Sequence, residues 1–423
     1  MKLSIVAALL SLFFLLHPCL AQSNELADKY GQDAQIQMER GNLPGVIKLL
    51  EKAIATEKES LKPRSPVLVQ QYYITGNVYL QLSKYDKAIE NFENALEILR
   101  GAGQKEYAAK ILGDIAALYN LRGRFTEAIA SFEEALQINE DLDLKADTSL
   151  ILNNMGFSYE NLGQYEKAIN CYEQAKVISE ELGVENDTAN SLGNIGRVYE
   201  VLGEYEQAIH TLHLAVEINS RLRSQLRVVG NFNILGNVFN SKGDYDGAVE
   251  YYGKALSTAK NINIETEADV AGQPVYLIKA QVEANIAVSL GGMANVYTRR
   301  GQYNKALENY REGLEVAKEH NTPYAIATIM NNIGYTYYAW GKYDKATEHY
   351  KQSIHFKEKI RQTAQGDARR DYLASQIDTY QSLASASLKN TDSQGVLDAV
   401  EQSRARVLAE QIASINSNIK IPT

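Results

Sequence analysis

Few side chains in this sequence have the type and spacing to do chemistry. Six histidines occur, at His17, His210, His213, His320, His349 and His355. His210 and His213 lie three apart, close enough to share a metal ion, but no third ligand stands near them in sequence, and a stable site wants three or four. Two cysteines occur, Cys19 near the start and Cys171, and no histidine is placed to activate Cys171 as a nucleophile. A phosphate-cradling glycine loop is missing, and the carboxylates are strewn along stretches with helical periodicity. No metal, no cofactor and no enzymatic activity are expected. What remains is amide chemistry. The chain has 31 asparagines, many in close sets such as Asn153 with Asn154, Asn190 with Asn194, Asn233 with Asn237, and Asn331 with Asn332. An asparagine amide carries a donor and an acceptor, as a peptide bond does, so ordered asparagines can hold a peptide backbone without reading its sequence.

The elements that position these amides follow from a repeat. "YENLGQYEKAINCYEQA" at Tyr159–Ala175 returns as "YEVLGEYEQAIHTLHLA" at Tyr199–Ala215. The leading aromatic slot falls at Tyr79, Tyr119, Tyr159, Tyr199, Phe239, Tyr297 and Tyr337, in steps of 40 with one step of 58. A small residue precedes each by three (Gly76, Ala116, Gly156, Gly196, Gly236, Ala294, Gly334), and an alanine follows each by nine (Ala88, Ala128, Ala168, Ala208, Ala248, Ala306, Ala346). Four residues beyond each alanine comes a bulky side chain, from Phe92 to Tyr350. Spacings of three and four are helical. Six of the seven units are split by a glycine (Gly123, Gly163, Gly203, Gly243, Gly301, Gly341) suited to end a helix in the left-handed conformation. The expected unit is helix, tight turn, helix, and a fixed period over this length predicts a solenoid.

The run of apolar residue, Leu-Gly-x-x-Tyr, Ala, Phe/Tyr and Ala resembles the tetratricopeptide repeat (TPR) family from Gln70 to about Lys359, in seven repeats. The family's usual period is about 34 residues and its motif closes on proline; here the period is 40, and Arg100, Glu140 and Glu180 occupy the proline slots. The chain in this respect is similar to the long-repeat branch typified by kinesin light chains. The resemblance implies an all-α fold, a right-handed superhelical solenoid of helix-turn-helix repeats, with protein or peptide partners.

The domain reading is a signal peptide at 1–21, a degenerate capping repeat at 22–65, repeats one to five at 66–263, an insertion at 264–281, repeats six and seven at 282–362, and a degenerate cap with tail at 363–423. Lys2 followed by the apolar run Leu3–Leu16 and small residues to Ala21 has the form of a secretory signal, with an uncleaved anchor as the alternative. The run is short of the roughly 20 residues a membrane span needs. Export to a bacterial periplasm or cell surface is expected, with no membrane span once the signal is cut. The insertion, with its acids, glycine and proline, is either a recognition element or a tolerated lengthening. A net charge of −9 argues against general nucleic-acid binding. "VLDAVEQSRARVLAEQI" at Val396–Ile412 resembles the junction between TPR arrays and caspase-like CHAT proteases through Glu401, Arg404, Arg406 and Leu408.

With the motif glycine as position 8, the TPR resemblance places positions 2, 5, 6, 9, 12 and 13 on the ligand-facing side of each first helix. Thirteen of these 42 positions are asparagine, where chance would give about three. Asparagine is a mediocre helix former, so propensity does not explain the excess. The candidate peptide-binding residues are Asn77, Asn120, Asn153, Asn154, Asn190, Asn194, Arg197, Asn233, Asn237, Asn295, Asn331 and Asn332. Two readings stand side by side: these amides hold a peptide, or they bridge neighbouring repeats. Position 5, where chaperone-binding relatives carry a clamp lysine, holds Tyr73, Gly113, Asn153, Gly193, Asn233, Gly291 and Asn331, so a carboxylate clamp is absent.

Overall fold

A computed structural model describes residues 25–39, 42–59, 66–319, 322–363 and 368–404. The expected signal segment 1–21, together with Arg406 and Leu408 of the tail, lies outside them. Every described element is a helix. In order they are α1 (Glu25–Glu39), α2 (Leu43–Glu59), α3 (Pro66–Gln81), α4 (Tyr85–Gly101), α5 (Lys105–Leu121), α6 (Phe125–Asp141), α7 (Lys145–Asn161), α8 (Tyr165–Glu181), α9 (Glu185–Leu202), α10 (Tyr205–Arg221), α11 (Gln225–Lys242), α12 (Tyr245–Lys260), α13 (Ile264–Ala271), α14 (Val275–Arg299), α15 (Tyr303–Glu319), α16 (Pro323–Ala339), α17 (Tyr343–Thr363) and α18 (Ala368–Lys389). The described residues fall into two compact units. Unit 1 lies within Met1–Leu202 and Ala268–Leu277, and unit 2 within Gly203–Glu267 and Ile278–Thr423. Within each, helices pack against their chain neighbours as stacked antiparallel pairs. None of the described helices is long and apolar enough to cross a membrane.

The turns show why the sequence breaks where it does. All six motif glycines have positive φ, from 70° at Gly123 to 84° at Gly243. One residue further on, a backbone N–H reaches back to the carbonyl of the aromatic slot: Arg124 to Tyr119 at 2.8 Å, Gln164 to Tyr159 at 2.9 Å, Asp244 to Phe239 at 2.9 Å and Lys342 to Tyr337 at 2.9 Å. This satisfies carbonyls that a helix end leaves unpaired.

Packing explains the fixed letters. All seven motif alanines are fully buried. A Cβ built on Gly76 would stand 2.5 Å from the Phe92 ring; Gly156 meets Tyr172 at 2.6 Å, Gly236 meets Tyr252 at 2.6 Å and Gly334 meets Tyr350 at 2.8 Å. The bulky slot therefore lies flat on the bare backbone of its partner helix. That contact is what glycine permits.

The eighteen extra residues form α13 and the first turns of a long α14. Glu267 on α13 is buried, and its carboxylate accepts from the backbone N–H groups of Gln225 (3.1 Å) and Leu226 (2.9 Å) at the start of α11. An anion at a helix N-terminus satisfies open donors and complements the helix dipole. The insertion is thus fastened to the stack.

Candidate peptide-binding face

In unit 1 the asparagines of the first helices divide by what they touch. Asn120 on α5 donates to the Asn154 carbonyl on α7 at 3.2 Å and accepts from Ser158 Oγ at 2.7 Å. Asn153 on α7 exchanges bonds with Ser191 Oγ on α9, at 3.0 and 3.2 Å. Each is an inter-repeat latch, with the hydroxyl 38 residues beyond the amide. Asn77 donates to the Tyr73 carbonyl of its own helix at 2.9 Å. Asn194 accepts from Arg197 at 3.3 Å, while Arg197 forms a two-pronged pair with Glu160 of α7 at 2.9 and 2.8 Å. Tyr172 completes that cluster by donating to Glu160 at 3.1 Å. Asn190 is half-buried on α9. The side-chain amide of Asn154, also half-buried, makes no hydrogen bond among the described residues.

Unit 2 repeats the scheme with different partners. Asn233, nearly fully buried on α11, donates to Asn285 Oδ1 at 3.1 Å and accepts from Ser289 Oγ at 2.7 Å, both on α14. Asn331 accepts from Thr379 Oγ1 at 3.1 Å. Asn237 and Asn295 are exposed, and each has its oxygen fixed by a tyrosine hydroxyl from the second helix, Tyr252 at 2.6 Å and Tyr310 at 2.5 Å. Their NH₂ groups remain available on the surface. Asn332, like Asn154, spends no side-chain amide group within the described residues.

The sequence reading named these asparagines without separating latch from free amide. It missed the hydroxyl partners Ser158, Ser191, Ser289 and Thr379; the spacing of 38 residues after an asparagine is a findable signal for Ser158 and Ser191, but it stretches to 56 for Ser289 and 48 for Thr379.

Unit 1 also holds a cavity of about 320 Å³ between α3, α4, α5, α6 and α7. Gly113 opens it, since a Cβ there would meet nothing within 4 Å. Tyr73, Lys110, Asp114, Asn139, Asp147 and Asn154 are its polar lining, on largely apolar walls. Burial raises the Asp114 carboxyl to about 6, against which a hydrogen bond from Tyr73 works in the lowering direction. Asn139 on α6 is 1% exposed, and among the described residues neither of its amide atoms has a partner.

No cluster of metal-ligating side chains occurs among the described residues. His213 is engaged with Tyr251 at 3.0 Å. Cys171 is buried, and burial pushes its thiol up to about 11, away from the thiolate a nucleophile needs.

Residues 71–141, 147–221 and 285–359 match a tetratricopeptide repeat family model, and 232–264 match a second tetratricopeptide repeat model. The chain belongs to the tetratricopeptide repeat family. Among solved structures, this TPR protein is similar to the apo form of RapI, with 16% identity and a TM-score of 0.53 over 70% of this chain and 98% of that one. It is similar also to a Rap protein complexed with competence and sporulation factor, with 14% identity and a TM-score of 0.51 over 91% of this chain and 99% of the other. A Podosopora anserina putative kinesin light chain with nearly identical TPR-like repeats matches at 18% identity and a TM-score of 0.42, over 48% of this chain and 99% of that one. The likenesses to RapI and to the Rap protein describe the fold alone. No curated protein matches the chain.

Proposed function

We propose that this TPR protein is an exported, non-enzymatic scaffold that holds an extended peptide, or an extended segment of a protein, against the first helices. The observation that carries the reading is the set of amides the repeat lattice positions and does not consume. Asn154 and Asn332 are unspent, and Asn237 and Asn295 are oriented by tyrosines with their NH₂ groups outward. Such groups match the alternating donors and acceptors of a peptide backbone, and a backbone ligand needs no sequence code. The Rap protein solved with competence and sporulation factor supports the same use of this fold class. Export rests on the amino-terminal segment, and N-terminal sequencing of the protein from its native host should begin at Gln22.

The experiment is selection of peptides from a random displayed library on the chain starting at Gln22. Selected peptides should share little side-chain consensus outside basic positions and should lose little affinity as salt rises, because the asparagine face carries few unpaired charges to screen. Failure to select any binder, or a steep salt dependence, would end the reading. A second reading, a recognition arm for a separate CHAT-like protease, rests on the Val396–Ile412 resemblance. It requires the mature chain to bind such a protease with no peptide added.

A further inference from the structure

We propose that the cavity at Gly113 and Asp114 is a specificity pocket for one basic side chain, arginine or lysine, of the bound peptide. This deepens the peptide-holding reading and rests on it for the source of the side chain. The geometry supplies a mouth, a charge and walls. The bare helix surface at Gly113 leaves the space open. A volume of about 320 Å³ lies at the low end of pockets that enclose small ligands, roughly 300–1,000 Å³. Val69, Leu99, Ile111, Phe132 and Ile151 give apolar walls for an alkyl stem.

The charge inside is unmatched. Tyr73 on α3 works to lower the Asp114 carboxyl against the effect of burial, and among the described residues no cation pairs with it. The titratable groups around it are Tyr73 on α3, Tyr107 and Lys110 on α5, and Asp147 on α7. Lys110 is held by Glu106 at 2.9 Å and is drawn further by Asp147, so it does not neutralise Asp114. A carboxylate removed from water without a counter-charge is costly, and an incoming cation relieves that cost. Asn139 adds an independent sign of a missing occupant. It lines the same cavity, is 1% exposed, and has both amide atoms unpaired, which buried amides in proteins rarely tolerate. A guanidinium spreads its N–H groups over a planar fork and can meet more than one such acceptor.

The test uses three probes on the chain starting at Gln22, followed by amide chemical shifts at Gly113, Asp114 and Ala117. They are ethylguanidinium, the peptide acetyl-Ala-Ala-Arg-Ala-Ala-amide, and its neutral citrulline counterpart. Near neutral pH the arginine peptide should bind at least about tenfold more tightly than the citrulline peptide, the scale of one charged hydrogen-bonded contact. That preference should shrink to less than about threefold in Asp114→Asn, which keeps an acceptor for Tyr73. It should also fade as pH falls below about 6, where the carboxyl takes up its proton. Gly113→Leu, which fills open space, should exclude all three probes from the cavity while leaving the helical spectrum intact. Equal binding of the two peptides would overturn the pocket and leave backbone holding standing. Ethylguanidinium binding that depends on Asp114, with neither peptide binding more tightly than it, would keep the pocket and overturn the peptide groove. Binding of no probe, or an arginine preference that survives Asp114→Asn, would overturn the pocket.

Discussion

Gly113–Asp114 in unit 1 and Gly291–Gly292 in unit 2 occupy the same two slots of the repeat. The first pair opens on a cavity with a half-buried carboxylate at its edge. The second is closed, because the Tyr252 ring lies 2.4 Å from where a Cβ on Gly292 would sit. The amides divide by slot within both units: Asn153 and Asn233 at position 5 are consumed by latches, whereas the side-chain amides of Asn154 and Asn332 at position 6 make no hydrogen bond among the described residues. The difference teaches that the fold dictates the small, aromatic and alanine slots but leaves positions 5 and 6 to be spent either on joining repeats or on a ligand.

The comparison breaks most visibly at the glycines. Gly292→Leu forces a side chain into the Tyr252 ring and should destabilise unit 2 by about 3 kcal/mol, as overpacking does. Gly113→Leu should be neutral or stabilising by up to about 1 kcal/mol, since leucine favours helix over glycine. Urea unfolding of the two variants, followed by circular dichroism, checks both, and equal losses would mean the slots are not open and closed as described.

Asp114 gives the next effect. Its carboxyl is raised to about 6 by burial, so ionising it costs the folded state. Its favourable contribution is complete below about pH 4, the ordinary carboxylate range, and is lost as pH rises through about 6. Asp114→Asn should therefore exceed the parent in stability by on the order of 2 kcal/mol near neutral pH, with the gap closing by about pH 4. A pH-independent difference would contradict the buried charge.

Removing a latch should cost somewhat less. Asn233→Ala strands the buried groups of Asn285 and Ser289 and should lower stability by about 1–2 kcal/mol, against less than about 0.5 kcal/mol for Asn154→Ala. The smallest effect concerns the turns. Arg223 carries a positive φ of 59° at a position where Gly103 and Gly183 stand in unit 1, so Arg223→Gly should raise stability by about 0.5–1 kcal/mol in the same unfolding assay.

The repeat itself was legible because backbone geometry leaves no alternative at its key slots. Gly156 must be bare for Tyr172 to lie on it, and Gly163 must tolerate a left-handed φ, so both letters persist. The asparagine excess was legible as a count, but its partition was not. Whether an amide is latched depends on a hydroxyl in the following repeat, and the inserted residues move Ser289 to 56 positions beyond Asn233. The role of Glu267 was hidden for the same reason, since its partners at the start of α11 lie 41 and 42 residues upstream. Asp114 stands at position 6 of the ligand-facing set, but nothing in sequence joins it to Asn139, because a cavity made by several helices has no linear signature.

The central claim is that latched amides hold the stack together while unlatched ones hold a ligand. It is tested most directly by measuring, for one library-selected peptide that shifts the Asn154 side-chain amide signals, both affinity and unfolding free energy in two variants. Asn154→Ala should weaken binding roughly two- to tenfold, from one lost hydrogen bond of about 0.5–1.5 kcal/mol, with stability nearly unchanged. Asn153→Ala with Asn233→Ala should do the reverse, lowering stability by a few kcal/mol (about 1–3 per stranded site) while the folded fraction binds almost as the parent does. Parent-like affinity in the first variant, or a larger loss of affinity in the second than in the first, would contradict the account.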